Sequence, residues 1–199
     1  MLKIGVLNLQ GAVSEHYDIT KKALDKMNID SNVEAVRYAN DVSGCDGLII
    51  SGGESTVIGK ILFERGIDKV IKNDNIPVFG TCAGMVLLGK KTNYNQPLLG
   101  IMDMEVSRNS FGRQKDSFET PLTILGDTYP GVFIRAPTLV SYNKNKEDIK
   151  VLCEYEDTIV AIQQNHNIAL SFHPELTEDT RIHEYFINEV LMNKKEKEI

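Results

Sequence analysis

The feature that most constrains the fold is a strand-to-helix stretch that runs from Ile76 to Gly89. It opens with four residues typical of an apolar strand, and Met85 to Leu88 form an apolar helical turn. Between them, Cys82 has Gly80 two places before it and Gly84 two places after it. This is the G-x-nucleophile-x-G arrangement of a nucleophile elbow, a tight turn that presents one side chain above the end of a sheet.

Cys82 has two interpretations in this setting. Glycines on either side allow strand and helix to close around a strained residue, and the helix N-terminus favours a thiolate at Cys82 and an oxyanion near the amide of Ala83. A cysteine can also be a small buried apolar filler. The catalytic interpretation therefore requires a base, an orienting acid and an oxyanion hole elsewhere in the chain.

The composition predicts an ordinary globular protein with one domain over residues 1–199. The chain has 199 residues, of which 42% are hydrophobic and 25% are charged, which is unlike a disordered protein. The net charge is −6 and no basic patch stands out, so we expect no nucleic-acid partner. Lysines alternate with glutamates near the C-terminus, and we expect residues 193–199 to form a frayed charged tail.

The sequence also bears on the cellular compartment. No apolar run approaches the ~20 residues of a membrane span, and the N-terminus lacks the pattern of a signal peptide. Cys45, Cys82 and Cys153 are odd in number and widely spaced, so they form no disulfide framework and fit a reducing cytosol. We therefore expect a cytoplasmic protein with no membrane partner.

The first half of the chain alternates between strand and helix patterns. Ser14 is the predicted N-cap of a helix that runs to about Met27. The predicted strands cover residues 2–9, 33–36, 47–50 and 76–79, and a further helix follows the Gly52-Gly53 loop. This order predicts an α/β fold with an open, mainly parallel sheet flanked by helices.

The second half predicts antiparallel strands added to that sheet. Short apolar runs are separated by Gly, Pro, Asn and Asp. These runs are residues 98–106, 122–125, 132–134, 139–142, 151–154, 159–163 and 168–172. Arg108 to Gln114 is typical of a polar loop, and a final amphipathic helix is predicted from about Glu178 to Met192.

Three polar or glycine-rich loops are predicted at the carboxyl ends of parallel strands, where open α/β sheets bind ligands. They are Gln10-Gly11, Gly52-Gly53-Glu54-Ser55 and the Cys82 elbow. The amides of the Gly52-Gly53 pair lack side chains that would obstruct them, as an oxyanion hole requires. A plain tight turn would have the same sequence, so both interpretations stay open on spacing alone.

Gly84 to Lys90 matches the spacing of a phosphate-binding loop, but Lys91 replaces the Ser or Thr that binds Mg²⁺. Its four middle residues are also apolar, as in a buried helix. Gly53 to Lys60 is one residue too long for that motif. We therefore expect no nucleotide site.

His173 is the best candidate for the base. It ends an apolar strand pattern, so it is expected at the edge where the elbow lies, and Pro174 and Glu175 follow it. Proline stiffens the next step, which allows the Glu175 carboxylate to turn back to the imidazole, fix its tautomer and stabilise its charged form. With Cys82, these residues would form a Cys-His-Glu triad.

The other three histidines have weaker indications of function. His16 and His183 lie in predicted helices with no obvious partner, so solvated or structural roles are expected. His166 lies in a polar turn and is expected to be exposed.

The chain resembles the triad (class I) glutamine amidotransferases, most closely the family of glutaminase subunits of pyridoxal 5′-phosphate synthase. The similarity extends in order from near the N-terminus to residue 176. The elbow and His-Pro-Glu are shared across the class, and the other motifs single out this family. The matching motifs are Gly5-Val6-Leu7-Asn8-Leu9-Gln10-Gly11-Ala12 with Glu15-His16, Ser51-Gly52-Gly53-Glu54-Ser55-Thr56, Gly80-Thr81-Cys82-Ala83-Gly84-Met85, Arg108-Asn109-Ser110-Phe111-Gly112-Arg113-Gln114, Ile134-Arg135-Ala136-Pro137 and Phe172-His173-Pro174-Glu175-Leu176.

The resemblance implies hydrolysis of L-glutamine to L-glutamate and ammonia, with no cofactor and no metal. Cys82 would attack the side-chain amide with help from His173, and Glu175 would orient the histidine. The amides of Gly53 and Ala83 would stabilise the oxyanion of the intermediate.

The resemblance also implies a set of glutamine contacts, which are Gly52, Gly53, Glu54, Arg108, Ile134 and Arg135. An arginine suits the α-carboxylate, because its planar fork can bind both oxygens. Without the resemblance, Arg108 and Arg135 would be interpreted as surface arginines.

A partner follows from the resemblance and from the single domain, which has no second site to consume ammonia. The implied partner is a (β/α)8-barrel synthase subunit that makes pyridoxal 5′-phosphate, in a large hetero-oligomer. Gln10, Gly11, Glu15 and His16 resemble the partner-contact and activation region of the family. The expected resting enzyme has an incomplete oxyanion hole.

Two alternatives remain in the sequence interpretation. A different elbow-cysteine hydrolase, such as a dienelactone-hydrolase-like protein, would lack the His-Pro-Glu and Gly-Gly-Glu-Ser motifs. A catalytically inactive regulatory subunit would not need an intact triad.

Overall fold

The computed structural model describes residues 1–108 and 117–199, which form twelve strands and six α-helices, numbered here in chain order. The strands are β1 Leu2–Leu7, β2 Ser31–Val36, β3 Gly47–Ile50, β4 Val78–Thr81, β5 Gly89–Thr92, β6 Met102–Ser107, β7 Ser117–Ile124, β8 Asp127–Ile134, β9 Thr138–Tyr142, β10 Ile149–Tyr155, β11 Thr158–Gln164 and β12 Asn167–Leu170. The helices are α1 Val13–Lys26, α2 Ala39–Val42, α3 Ser55–Glu64, α4 Ile67–Asn73, α5 Ala83–Leu88 and α6 Arg181–Lys197.

A seven-stranded sheet in the order β10-β11-β12-β4-β3-β1-β2 forms the centre of the fold. Strands β12, β4, β3, β1 and β2 are parallel to one another, whereas β10 and β11 are antiparallel additions at one edge. Helices flank this sheet. The predicted α/β fold with a mainly parallel sheet is therefore confirmed.

Two smaller sheets come from the middle of the chain. Strands β5, β6 and β9 form a three-stranded sheet, and β7 pairs with β8 as an antiparallel hairpin. The β7–β8 hairpin precedes the loop that brings Arg135 to the site. These sheets include β5, which the sequence patterns did not predict.

Both faces of the central sheet are buried, because its successive side chains alternate between two hydrophobic clusters. Ile49 and Phe79 belong to the cluster that contains Phe186 of α6. Ile50 and Val78 belong to the cluster on the opposite face. Strands that are buried on both sides are typical of continuous apolar sequence runs, which is why these strands were readable from the sequence.

Several predicted element boundaries were wrong. Helix α1 begins at Val13, with Ala12 at the N-cap, and Ser14 does not cap it; the Ser14 hydroxyl instead donates to Glu15. The elbow strand covers Val78–Thr81 rather than 76–79, because its pairing with β3 and β12 determines where it begins and ends. Helices α2 and α4 were not predicted.

The C-terminal helix also differs from its prediction. It begins at Arg181 rather than at about Glu178, and it continues to Lys197, through most of the segment predicted as a frayed charged tail. Asn193 is buried, and its amide donates to the carbonyl of Asn75 at 3.3 Å. Lys194 bonds to Asp46 at 3.0 Å. These tertiary contacts stabilise helical turns whose local sequence is typical of fraying.

Within residues 1–108 and 117–199, no helix combines the length and apolar character that crossing a bilayer would require.

Candidate active site

The elbow forms as predicted between β4 and α5. Cys82 has φ 52° and ψ −107°, a positive φ that is strained for a residue with a side chain. Its neighbour Gly84 packs on β3 so closely that a Cβ there would lie 2.2 Å from the carbonyl oxygen of Ile50. The glycine is thus required by close backbone packing, and the turn presents Cys82 at the carboxyl edge of the sheet. Met85 to Leu88 are buried in α5, which confirms the helical interpretation of the false phosphate loop.

His173 reaches the same edge at the end of β12. This strand is parallel to β4, with Leu170 opposite Thr81, and the amide of Cys82 donates to the carbonyl of Leu170 at 2.8 Å. The chain continues into a short 3₁₀ turn that carries Glu175. Nδ1 of His173 lies 2.7 Å from Oε1 of Glu175. The predicted base and acid are therefore hydrogen-bonded beside the elbow.

The electrostatics favour a charged imidazole in this pair. Burial opposes a charge on His173, but the adjacent Cys82 thiol and the Glu175 carboxylate outweigh it and raise the pKa of His173 to about 10. Burial likewise opposes ionisation of Glu175, yet His16 and His173 hold the pKa of that carboxyl below its ordinary value. The arrangement therefore suits a proton held on the imidazole.

The nucleophile and the base make no well-formed hydrogen bond with each other in this structure. Nε2 of His173 is buried and makes no hydrogen bond to any described residue. Sγ of Cys82 lies 4.0 Å from the carbonyl oxygen of Ile134, at the length of a weak S–H···O contact. The free Nε2 is the ring nitrogen that a Cys-His pair would use to accept the thiol proton.

The glycine loop after β3 lies against the triad. A Cβ on Gly52 would be 2.9 Å from Cε1 of His173 and 3.5 Å from Cβ of Cys82. Gly53, at φ 128°, lines the cleft with Cys82 and Ala83. The structure thus brings the two residues predicted for the oxyanion hole, Gly53 and Ala83, to one cleft.

The loop after β1 supports the glycine loop from behind. The hydroxyl of Ser51 donates to the carbonyl of Gln10 at 2.9 Å. Oε1 of Gln10 accepts from the amide of Glu54, also at 2.9 Å. Gly11 packs so tightly that a Cβ there would lie 2.1 Å from the carbonyl oxygen of Gly52. The Gln10-Gly11 segment therefore cannot move without displacing the glycine loop that it contacts.

The lining of the cleft beside Cys82 includes the charged residues Glu54, Arg108 and Arg135. The Arg108 guanidinium forms an ion pair with the Glu54 carboxylate and lies 4.9 Å from the ring centroid of Tyr94. The cleft thus offers both signs of charge a short distance from the thiol, as an amino-acid substrate requires.

Ile134 and Gly52 touch the triad residues rather than line this cleft. Arg108 ends the described part of the polar loop; the rest of the predicted stretch, through Gln114, lies outside the described residues.

His16 lies in helix α1, as the sequence predicts, but its side chain faces the core. It is fully buried, whereas Gly11 and Glu15 are exposed. The His16 ring has no exposed surface, so its assignment to the partner-contact and activation region stays a prediction, and any role there would act through the residues around it. Its Nε2 lies 3.3 Å from Oε2 of Glu175, and its Nδ1 lies 3.1 Å from Nε2 of His183. Of the two roles expected for these histidines, the structure shows the structural one, with partners that the sequence did not reveal.

The sequence did contain a signal for this burial. The buried positions of α1 are His16, Ile19, Thr20, Ala23 and Leu24. They repeat at the spacing of one helix face, and that spacing includes His16. Because histidine is not an apolar residue, the hydrophobic pattern of the helix does not identify it as part of that face.

His166 and the remaining cysteines lie outside the site. His166 is half-buried rather than exposed, because Glu189 and Glu196 of α6 bond to its two ring nitrogens at 2.8 and 3.1 Å. Cys45 and Cys153 are buried free thiols, and burial raises the pKa of each to about 11. Neither is a candidate nucleophile.

Comparison with known proteins places these features in a family. A model of the SNO glutamine amidotransferase family matches residues 6–192. The chain is 72% identical to the pyridoxal 5′-phosphate synthase subunit PdxT of Methanobrevibacter smithii over 191 residues, which cover 96% of this chain and 98% of that protein. It is 54% identical to the subunit of the same name from Methanothermobacter thermautotrophicus, with the same coverage.

Solved structures agree with this grouping. A crystal structure of a glutamine amidotransferase is 41% identical, with a TM-score of 0.82, and the match covers 94% of this chain and 98% of that one. A putative GMP synthase component from Thermoplasma acidophilum shares the fold at 18% identity, with a TM-score of 0.69 and coverage of 100% and 98%. Since the family match spans most of the chain and the relatives align along nearly their whole length, the chain belongs to the SNO glutamine amidotransferase family.

Proposed function

We propose that this chain is the glutaminase subunit of a pyridoxal 5′-phosphate synthase. It hydrolyses L-glutamine to L-glutamate and ammonia and passes the ammonia to a synthase subunit. The observation that carries the proposal is the strained Cys82 beside the hydrogen-bonded His173–Glu175 pair, at the mouth of a charged cleft. The identity to PdxT subunits across almost the whole chain supports the same function.

The reaction begins when Sγ of Cys82 attacks Cδ of the glutamine side chain. The thiol proton is transferred to Nε2 of His173 before the attack, because the contacts that raise the pKa of this ring favour its charged form. The amide oxygen becomes an oxyanion, which the N–H groups of Gly53 and Ala83 stabilise; one such donor is typically worth about 3 kcal/mol of barrier. The elevated pKa of His173 keeps the proton on the ring until it is needed.

The imidazolium then gives that proton to the departing nitrogen, so the C–N bond breaks and ammonia leaves. A glutamyl thioester remains on Cys82. Water attacks this thioester while His173 accepts a proton from it, and the C–S bond breaks to release glutamate. The thiolate recovers the proton from His173, which closes the cycle. Glu175 holds the ring orientation throughout.

Charge complementarity supports an amino acid as substrate. The guanidinium groups of Arg108 and Arg135 suit the α-carboxylate of glutamine, and the Glu54 carboxylate suits its α-ammonium group. Because Arg108 and Glu54 are paired with each other in this structure, the substrate replaces one ion pair by two. Gly52 and the Ile134 carbonyl complete the wall beside Cys82.

The proposed partner is a (β/α)8-barrel synthase subunit in a large hetero-oligomer of both chains. Free ammonia in neutral water would mostly protonate, so direct transfer preserves the nucleophile. Gln10, Gly11 and the exposed Glu15 supply the contact and activation region, because the Gln10-Gly11 segment bears on the glycine loop. Docking completes the oxyanion hole in this proposal.

The test is ammonia release from glutamine, measured with and without the cognate synthase. We expect a weak rate for the isolated chain and a large rise in the complex. Cys82→Ala should abolish ammonia release while it leaves docking intact, as measured by analytical ultracentrifugation. Ammonia production by the Cys82→Ala complex would refute the assignment of the nucleophile, and full activity of the isolated chain would refute activation by docking.

A further inference from the structure

A chain of buried polar groups continues behind the triad. Oε1 of Glu175 bonds to His173, and Oε2 lies 3.3 Å from Nε2 of His16. The same Nε2 lies 3.1 Å from Oγ1 of Thr81, the residue before the nucleophile. On its far side, Nδ1 of His16 lies 3.1 Å from Nε2 of His183. Helices α1 and α6 thus contribute one imidazole each to the environment of the catalytic acid.

The surroundings keep both imidazoles neutral. His16 and His183 are 0% and 1% exposed, and the ring of Phe79 packs edge-on against both. Burial lowers the pKa of each ring, and for His183 by a wide margin. The charged or titratable groups that face His16 are Glu175, His173, Glu15 and His183. A neutral imidazole has one N–H group and one acceptor nitrogen, so the network has a defined direction.

One arrangement of protons suits the buried acid better than the other. If His16 carries its proton on Nε2, that N–H donates to Thr81 Oγ1, and Nδ1 accepts from Nε2–H of His183. Oε2 of Glu175, which has no hydrogen bond among the described residues, then lies 3.3 Å from the positive end of the N–H dipole. Nδ1 of His183, which has no hydrogen bond among the described residues, is then an unprotonated nitrogen. The opposite arrangement would direct a lone pair at the carboxylate and leave a buried N–H without an acceptor, which costs more.

We propose that His16, held in this tautomer by His183, is a positioning residue for the glutaminase reaction. Its Nε2–H, held by Thr81, places a positive partial charge 3.3 Å from the second oxygen of Glu175, and this attraction keeps the first oxygen directed at Nδ1 of His173. The expected effect on kcat rests on the proposed function, whereas the expected effect on the Glu175–His173 contact does not. His16 does not touch the substrate cleft, so its loss acts on kcat and leaves glutamine binding unchanged.

The test compares three replacements of His16 that differ in where they place an N–H group. The amide nitrogen of glutamine occupies roughly the position of Nε2, whereas that of asparagine occupies the position of Nδ1, and leucine has no donor. We expect His16→Gln to retain most of the activity. We expect His16→Asn and His16→Leu to lower kcat about tenfold to hundredfold, the loss typical when a supporting partner is removed.

Each variant is assayed for ammonia release in complex with the synthase, with KM and kcat determined separately. His166→Gln is the matched control, because it removes another histidine that is bonded to buried glutamate but lies outside the site. It should change neither constant. Thermal unfolding of every variant shows which of them are folded. If His16→Leu does not fold, the comparison of His16→Gln with His16→Asn carries the test.

A second readout is independent of activity. The chain has four histidines, so ¹⁵N-labelled imidazoles can be titrated individually by NMR in the isolated protein. The groups that face His173 are Cys82 and Glu175, and His16 reaches it through Glu175. Without the Nε2–H group, Glu175 is a weaker partner. The pKa of His173 should therefore fall in His16→Asn and His16→Leu but not in His16→Gln.

These readouts separate the two proposals. Wild-type complex that releases no ammonia would overturn the proposed function, while the NMR titration would still decide the role of His16. Equal kcat in folded His16→Gln and His16→Asn, or an unchanged His173 titration in both, would overturn the positioning role. A selective loss of kcat in His16→Asn, with a lowered His173 pKa, supports it.

Discussion

Nδ1 of His173 and Oε1 of Glu175 lie 2.7 Å apart, and the two residues are separated by a single proline. A carboxylate so close in sequence would ordinarily point into solvent. Here the 3₁₀ turn at Pro174–Leu176 folds it back under the ring, and the Glu175 side chain has no exposed surface. The acid therefore cannot exchange its imidazole partner for water, and the orientation of His173 depends on it.

Glu175→Gln should lower kcat about 100-fold or more, because an amide can neither stabilise the imidazolium nor hold the same tautomer. KM for glutamine should change little, since Glu175 does not line the cleft. Steady-state ammonia release by the complex gives both constants. Glu189→Gln is the control: Glu189 makes a similar bond to His166 at 2.8 Å, remote from the site. Equal losses in the two variants would contradict the assignment.

The three free cysteines should differ sharply in alkylation. Burial raises the pKa of Cys45 and Cys153 to about 11, so only about 0.1% of each is thiolate at pH 8. Cys82 is partly exposed at the cleft. Brief treatment with iodoacetamide should therefore add one label, which mass spectrometry of peptides assigns to Cys82.

Two controls define this experiment. Cys82→Ala should take up almost no label while folded, and the wild-type chain in urea should take up three. Labelling of Cys45 before Cys82 in the folded chain would show that the elbow thiol is not the reactive one.

Arg108→Lys should raise KM for glutamine about tenfold, or about 1.4 kcal/mol, with little change in kcat. Lysine retains the charge but loses the planar fork, which stacks on Tyr94 and which, in the proposed complex, would bind both carboxylate oxygens. The matched control is Arg65→Lys, because Arg65 stacks on Tyr38 at 4.5 Å and does not line the cleft. Isothermal titration with the Cys82→Ala background measures binding without turnover. Equal affinities in the two variants would argue against Arg108 as a glutamine contact.

The sheet and the elbow could be predicted from the sequence because their signals are local. Strands β1, β3 and β4 are buried on both faces, so they are continuous apolar runs. The glycines around Cys82 are needed because a Cβ at either position would clash with nearby backbone atoms, so the turn leaves a recognisable sequence pattern. Both features depend on neighbours in the chain rather than on distant contacts.

The network behind the triad could not be predicted because it depends on distant elements. Residues 16, 81, 175 and 183 meet only after α1 and α6 pack on the same face of the sheet. Neither helix alone shows that its histidine will be next to a carboxylate. The C-terminal end of α6 could not be predicted for the same reason, since Asn193 and Lys194 bond to residues far along the chain.

The pH dependence of folding should reveal the charged state of His173. Its pKa rises from an ordinary value near 6.5 to about 10 in the folded chain. A raised pKa means that the folded state holds the proton more tightly than the unfolded state does. The stabilisation from this group is therefore complete below about pH 6.5 and disappears as the pH rises through about 10.

Wild type should consequently lose free energy of unfolding relative to His173→Gln between pH 6.5 and 10, at a slope of at most about 1.4 kcal/mol per pH unit. Urea unfolding at pH 6, 8 and 10 measures the difference between the two proteins. His166, whose pKa is also raised, is present in both and cancels. Parallel stability curves for the two proteins would show that His173 is not held as an imidazolium, whereas a difference that shrinks towards pH 10 is expected from its contacts with Cys82 and Glu175.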